Sequence, residues 1–391
     1  MLKKLSLAAL IAMGSMSVAS ATPLTEAIKG VDLSGMLRIR FYNEDPEDGL
    51  KTDGWRTNGI FIFKVPAGEH IKFVYRASVQ TYASGLRDNG ELAKTGVLTL
   101  NNVDTGTMNN LLFMAYNNNG LNAIIGKIPV KSPITSADPV TPGHGAGIIA
   151  SYNVGNGLTL AGGYVDALKH ANPVNYDDYA GWLLTTSLYT AAAIYNNDAV
   201  SAQAWYFHMP NLIKHEYVLS ATVKALKEYG LTINANYASS KLDEDVSKTL
   251  YGEDADTKKY YDITVKYNQD AFHGLIGYAN SSDDNGVVTT ASDSPLGGVL
   301  PTQQVKNIAN EKDLDAWYAM LGYDVTSALN VSARYAHFDA SEDDGDADEW
   351  VAQADYKYNK KLSFQAYYSV FNADEEEGDN NELRLQAQYN F

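Results

Sequence analysis

Asn381-Glu-Leu-Arg-Leu-Gln-Ala-Gln-Tyr-Asn-Phe391 is the stretch on which the fold turns. Leu383, Leu385, Ala387, Tyr389 and Phe391 fall on one face of an extended segment. Glu382, Arg384, Gln386, Gln388 and Asn390 fall on the other. Strict period-two alternation marks a strand with one apolar and one wet face. Two settings suit such a strand. One is the closing seam of a transmembrane β-barrel, where the last strand pairs with the first. The other is the edge of a soluble β-sandwich.

Composition favours the barrel. The chain has 391 residues, no Cys, 27 Tyr, 31 Gly and a formal net charge of -17. A soluble chain of this length usually divides into domains, but no linker-like shift in composition interrupts it. A mean hydropathy of -0.26 is too polar for a bundle of membrane helices. It suits a barrel, because half of each spanning strand faces water. The missing Cys removes disulfides, thiolate catalysis and Cys-based zinc sites. The acidic balance argues against nucleic acid as a partner.

The N-terminus predicts export. Lys3 and Lys4 precede the apolar run Leu5 to Val18, and Ala19-Ser20-Ala21 supplies the small residues of a cleavage site. Cleavage after Ala21 leaves residues 22–391 as one barrel domain, and losing two Lys takes the formal charge from -17 to -19.

Alternating segments recur along the whole chain. Val31 to Tyr42 places Val31, Leu33, Leu37, Ile39 and Phe41 on one face and Asp32, Ser34, Arg38 and Arg40 on the other. Ile71 to Gln80 behaves likewise. The count reaches about eighteen strands, an even number that leaves an aqueous channel. Short connections such as Asn118-Asn119-Gly120 and Gly155-Asn156-Gly157 take turns with long, acidic ones. This predicts a periplasmic and an extracellular rim, a regularity foreign to a sandwich. Ser282 to Asp313 and Glu342 to Glu349 are expected among the extracellular loops.

For a channel the chemistry is electrostatic. With apolar faces assigned to lipid, the lumen receives Arg38, Arg40, Lys72, Arg76, Lys357 and Arg384. An unpaired cation facing lipid costs roughly 2–4 kcal/mol at mid-membrane. Closure of the barrel brings the first and last strands together, so these six cations can form one arc of wall, the alternative being scattered lumen charges at unrelated heights. Lys131 to Gly145 holds Pro133, Pro139, Pro142, Gly143 and Gly145, which suit no central strand. It is the candidate for a loop folded into the lumen, where irregular backbone finds water. Asp138 on it is then the acidic partner of the arc, at a constriction. Ordinary external placement of this loop is the alternative.

Other chemistry finds little support. Asp343-Asp344-Gly345-Asp346-Ala347-Asp348-Glu349 lacks the order of an EF-hand. The acidic loops are read as solvated, with weak, diffuse divalent-cation binding and no cofactor. No zinc, nucleophile-elbow, P-loop or dinucleotide motif occurs among the seven His and the Gly-containing segments. His337 and Asp339 are the one pair close enough in sequence to consider for catalysis, so an enzyme is not expected.

The ends of the chain carry a resemblance. Ala21-Thr-Pro-Leu-Thr-Glu-Ala-Ile-Lys-Gly-Val-Asp-Leu-Ser-Gly-Met-Leu-Arg-Ile-Arg40 closely resembles the mature start of the Campylobacter-type major outer membrane protein, a porin family. Tyr356 to Ser369 and Leu383 to Phe391 are similar to its last strands, while the middle shares only strand rhythm. The resemblance implies an eighteen-stranded trimeric porin with a loop in the lumen, and it implies that Arg38 and Arg40 are the family's basic pair in the first strand. The expected function is passive diffusion of ions and small hydrophilic solutes across a Gram-negative outer membrane, with mild cation preference and lipid around the wall. The alternatives are a substrate-specific channel and an adhesin or structural barrel acting through its acidic loops.

Overall fold

The computed structural model describes residues 30–46, 51–88, 91–93, 99–100, 110–169, 186–252, 254, 256–298, 302–305, 307–340, 346–373 and 379–391. For 81–88, 91–93 and 99–100 the backbone alone is described. The expected signal segment, residues 1–21, lies outside the described residues.

Eighteen long strands follow one another. They are β1 Asp32–Pro46, β2 Lys51–Pro66, β3 Ile71–Asp88, β4 Leu111–Asn118, β5 Leu121–Pro129 and β6 His144–Gly155. Next come β7 Leu158–Lys169, β8 Leu188–Asn196, β9 Val200–Met209, β10 Ile213–Val223, β11 Leu231–Leu242 and β12 Lys258–Gln269. The last six are β13 Phe272–Ser281, β14 Leu314–Asp324, β15 Leu329–Ala340, β16 Ala347–Lys357, β17 Leu362–Ala373 and β18 Asn380–Asn390. Each pairs antiparallel with its sequence neighbours. Two short pieces, Glu91–Ala93 and Thr99–Leu100, lie along β3. β18 pairs with β1, with Met36 opposite Asn390 and Tyr42 opposite Arg384. That seam closes the barrel and leaves no edge strand.

The alternation sets inside from outside. Leu37 and Ile39 are exposed on the outer wall, whereas Arg38 between them is buried. Trp317 and Trp350 stand outward, their rings tilted against those of Tyr278 and Tyr335. Amphipathic rings of this kind suit a membrane interface. Turn chemistry sets the register at the short rim. Asn119 and Gly120 have φ of 46° and 83°, and Asn156 and Gly157 have 51° and 83°. Two successive positive φ values match the right-handed twist of a tight hairpin.

Two expectations are corrected, and one acidic connection contains a helix. Connections at the other rim are not uniformly long, because β9 and β10 are joined by residues 210–212 alone. The acidic stretch Leu242 to Asp256 contains a helix, α1 Glu244–Tyr251. Asp243 caps its N-terminus by accepting from the Asp245 backbone N–H, and Gly252 ends it in the left-handed conformation. Residues 282–313, expected outside, bury Val287, Val288, Leu296 and Ile308 against inward-facing Phe207, Tyr260 and Phe338. The hydrophobic core of this molecule is therefore formed between the wall and that loop.

Candidate functional site

β18, β1 and β2 carry arginines on their inner faces at neighbouring levels. Arg40 lies opposite Arg56 of β2, and Tyr42 lies opposite Arg384. Like charges placed directly across a ladder destabilise a sheet. Their retention here points to a use other than stability. Three of the guanidinium groups are steadied by a neutral or acidic neighbour. Arg38 Nε and Nη2 donate to Asn58 Oδ1 at 3.3 and 3.2 Å. Arg40 Nε donates to Gln386 Oε1 at 2.5 Å. Arg384 Nη2 donates to Glu382 Oε1, and its guanidinium sits 5.0 Å from the centroid of the Tyr367 ring. The Tyr367 hydroxyl donates to the same Glu382 oxygen at 2.8 Å. These contacts fix the planar groups in orientation without neutralising the whole row.

Residues 131–143 approach this row from the other side. Arg76 Nη2 donates to the carbonyls of Pro139 and Val140, the latter at 3.0 Å. The Val140 backbone N–H donates to Asp138 Oδ1 at 2.7 Å, so the carboxylate is held by its own turn. Asp138 attracts Arg38, Arg40 and Arg76, while Arg38, Arg40, Arg56 and Arg384 repel one another. A cavity of about 920 Å³ lies beneath the segment, bounded by Arg76, Asp138, Gln388 and Phe391.

Of the seven residues singled out from sequence, Arg38, Arg40, Arg76, Arg384 and Asp138 are thus neighbours. Lys72 and Lys357 share the inner face but stand apart, exposed beside the short turns. Lys72 is four residues from Arg76 along β3, roughly 13 Å at about 3.3 Å per residue. Arg56 is the member that sequence reasoning missed. The apolar run starts a second strand at Asn58, after an acidic loop through Gly54, and leaves Arg56 between the two, whereas β2 begins at Lys51. His337 reaches Asp348 at 3.1 Å on the neighbouring strand, rather than Asp339. Among the described residues no group of three or more His, Asp or Glu side chains is arranged to hold a metal ion.

The segment 131–143 is itself braced by the second loop. The Ile134 carbonyl accepts from the Thr290 backbone N–H at 2.9 Å and from Ser294 Oγ at 2.9 Å. Ser136 Oγ donates to Asp293 Oδ2 at 2.9 Å. The position of Asp138 therefore depends on two loops rather than one.

Comparison with known proteins agrees with this architecture. A family model described as Campylobacter major outer membrane protein matches residues 1–391. No curated protein matches. Among solved structures, Pseudomonas aeruginosa OccK5 (OpdH) is similar with a TM-score of 0.72 and 15% identity, over 93% of this chain and 98% of that one. Pseudomonas aeruginosa OccK9 (OpdG) gives 0.71 and 16%, over 93% and 99%. Acinetobacter baumannii OccAB1 gives 0.70 and 13%, over 92% and 96%. At such identities the likeness is one of fold. The family match spans the whole chain and the closed eighteen-stranded wall agrees with it, so this protein belongs to the Campylobacter major outer membrane protein family and is an outer-membrane porin.

Proposed function

We propose that the porin passes ions and small hydrophilic solutes by passive diffusion, through a constriction between the arginine row and Asp138. The carrying observation is the unlike charge on the two sides of one gap, with Arg38, Arg40, Arg56 and Arg384 on the wall and Asp138 on the loop. Opposed rows of charge set a field across the pore and orient a dipolar solute as it passes. The chain's net charge of -17 concentrates cations at the mouth and gives a mild cation preference, which the arginine row opposes locally. Lys72 and Lys357 act as rim charges in this reading. The chain is a channel rather than a catalyst, exported with cleavage after Ala21 and assembled as a homotrimer. Chemical crosslinking of the purified protein tests the trimer.

Planar-bilayer recording tests the channel. Large, stable steps that grow with salt and never saturate are expected. Saturation by one solute class points instead to a substrate-specific pore, and a folded protein without conductance overturns both.

A further inference from the structure

Glu349 was expected in a solvated acidic loop, yet it is the third residue of β16, points inward and is 1% exposed. Its carboxylate meets three successive backbone amides of the 282–313 loop. Oε1 accepts from the Gln303 N–H at 2.7 Å and the Gln304 N–H at 3.0 Å. Oε2 accepts from the Val305 N–H at 3.2 Å. Ser369 Oγ on β17 donates to Oε1 at 2.8 Å. Consecutive amides converging on one anion form a nest, and hydrogen bonds to a carboxylate are stronger than those between neutral groups. Arg334 on β15 lies close enough to add electrostatic attraction.

The side chain of Gln304 extends the attachment. Its Nε2 donates to Ser369 Oγ at 3.0 Å and to the Asn380 carbonyl at 3.1 Å. Its Oε1 accepts from Asn380 Nδ2 at 2.7 Å. One residue thereby bridges β17 and β18. The loop itself leaves the wall at Ser281 on β13 and rejoins it at Leu314 on β14. From β14 to β18 is four strand steps, roughly 19 Å at about 4.8 Å per step. Asn380 lies four residues above Arg384 on the same strand, so the attachment grips the wall that carries the arginine row.

We propose that Glu349 and Gln304 form a latch that ties the 282–313 loop to the β16–β18 wall and so sets the width of the pore. They are positioning residues. They act through the loop, which braces the Asp138 segment at Ile134 and Ser136. Replacing the carboxylate by an amide leaves one acceptor oxygen for three part-buried N–H groups and turns an NH2 toward the rest. The loop tip then leaves the wall, and the size limit for solutes rises. The proposal rests on the porin reading, and wild-type recordings separate the two: a silent wild type refutes the channel, whereas the latch fails only on comparison with its variants.

The test is single-channel conductance and sugar permeation of folded E349Q and Q304A. Folding is checked by heat-dependent mobility in detergent gels. Conductance raised by half or more, with entry of sugars that the wild type excludes, is expected for E349Q, and a smaller rise for Q304A. Folded variants with wild-type conductance and size limit overturn the latch. The double variant Q304C/S369C carries the same test with Glu349 intact in this Cys-free chain. Oxidised with copper phenanthroline, it holds the wild-type conductance, and reduction raises it. Equal conductance in the two states refutes the proposal.

Discussion

Two regions of the barrel wall present different inner faces. From β9 to β15 an apolar cluster, with Phe207, Val218, Tyr260, Leu275, Tyr318 and Phe338, shares a buried core with the 282–313 loop, beside polar residues of the same inner face such as Gln203, Asn236, Asp262 and Thr264. From β16 through β18 to β2 the inner face carries the charged row, with Gln353, Glu382, Arg384, Gln386, Arg38, Arg40 and Arg56. Both regions have the same apolar outer face toward lipid. The apolar cluster of the first behaves as the core of a soluble protein turned inward, and the second as a wall bathed in water. Stability should reside in the first and selectivity in the second.

Mutations that separate stability from selectivity test that contrast. The largest effect is expected for Phe207→Ala, which empties the apolar cluster beside Trp205, 5.7 Å away ring to ring. A loss of about 3–5 kcal/mol in urea unfolding is expected. Gln388→Ala in the charged region should cost less than about 0.5 kcal/mol by the same measurement. For selectivity the order reverses. R38S/R40S removes two charges from the row and should raise the cation-to-anion permeability ratio on the order of twofold, read from reversal potentials in a salt gradient. Near 0.1 M salt the Debye length is about 10 Å, so the change is measured there and fades toward 1 M, where it is about 3 Å. Asp138→Asn should move the ratio the other way by a smaller amount, because one charge is lost. K72S/K357S should leave it unchanged within error, since both lysines stand at the rim rather than in the row.

The charged region was legible in the sequence because alternation alone places it. Arg38, Arg40 and Arg384 sit between apolar residues of a strict two-residue repeat, and β18 meets β1 once the barrel closes. Arg56 escaped because β2 continues past the apolar run into Asp53 and Gly54, which resemble a turn while remaining paired with β1. The apolar cluster was obscured for a different reason. Assigning every apolar face to lipid leaves no room for single apolar residues that turn inward among polar ones, such as Tyr260 of β12, buried next to exposed Tyr261. Residues 282–313 read as solvated because polar residues and Gly outnumber the apolar ones in them. Several of their buried polar groups find partners within the fold, as when Asn310 Oδ1 accepts from the Val288 and Thr289 backbone. Glu349 was hidden in an acidic run whose last residues belong to a strand. Composition reports the average environment of such a run and cannot single out the one carboxylate that turns inward.

Asp138 facing the arginine row is the centre of the account, and thiol labelling in a chain without Cys addresses it directly. The variant D138C is inserted into a planar bilayer, and a charged, membrane-impermeant methanethiosulfonate reagent is added while single channels are recorded. A stepwise fall in conductance on modification is expected, larger than for the same label at K72C on the rim. Complete labelling, confirmed by mass, with conductance unchanged would contradict a constriction at Asp138.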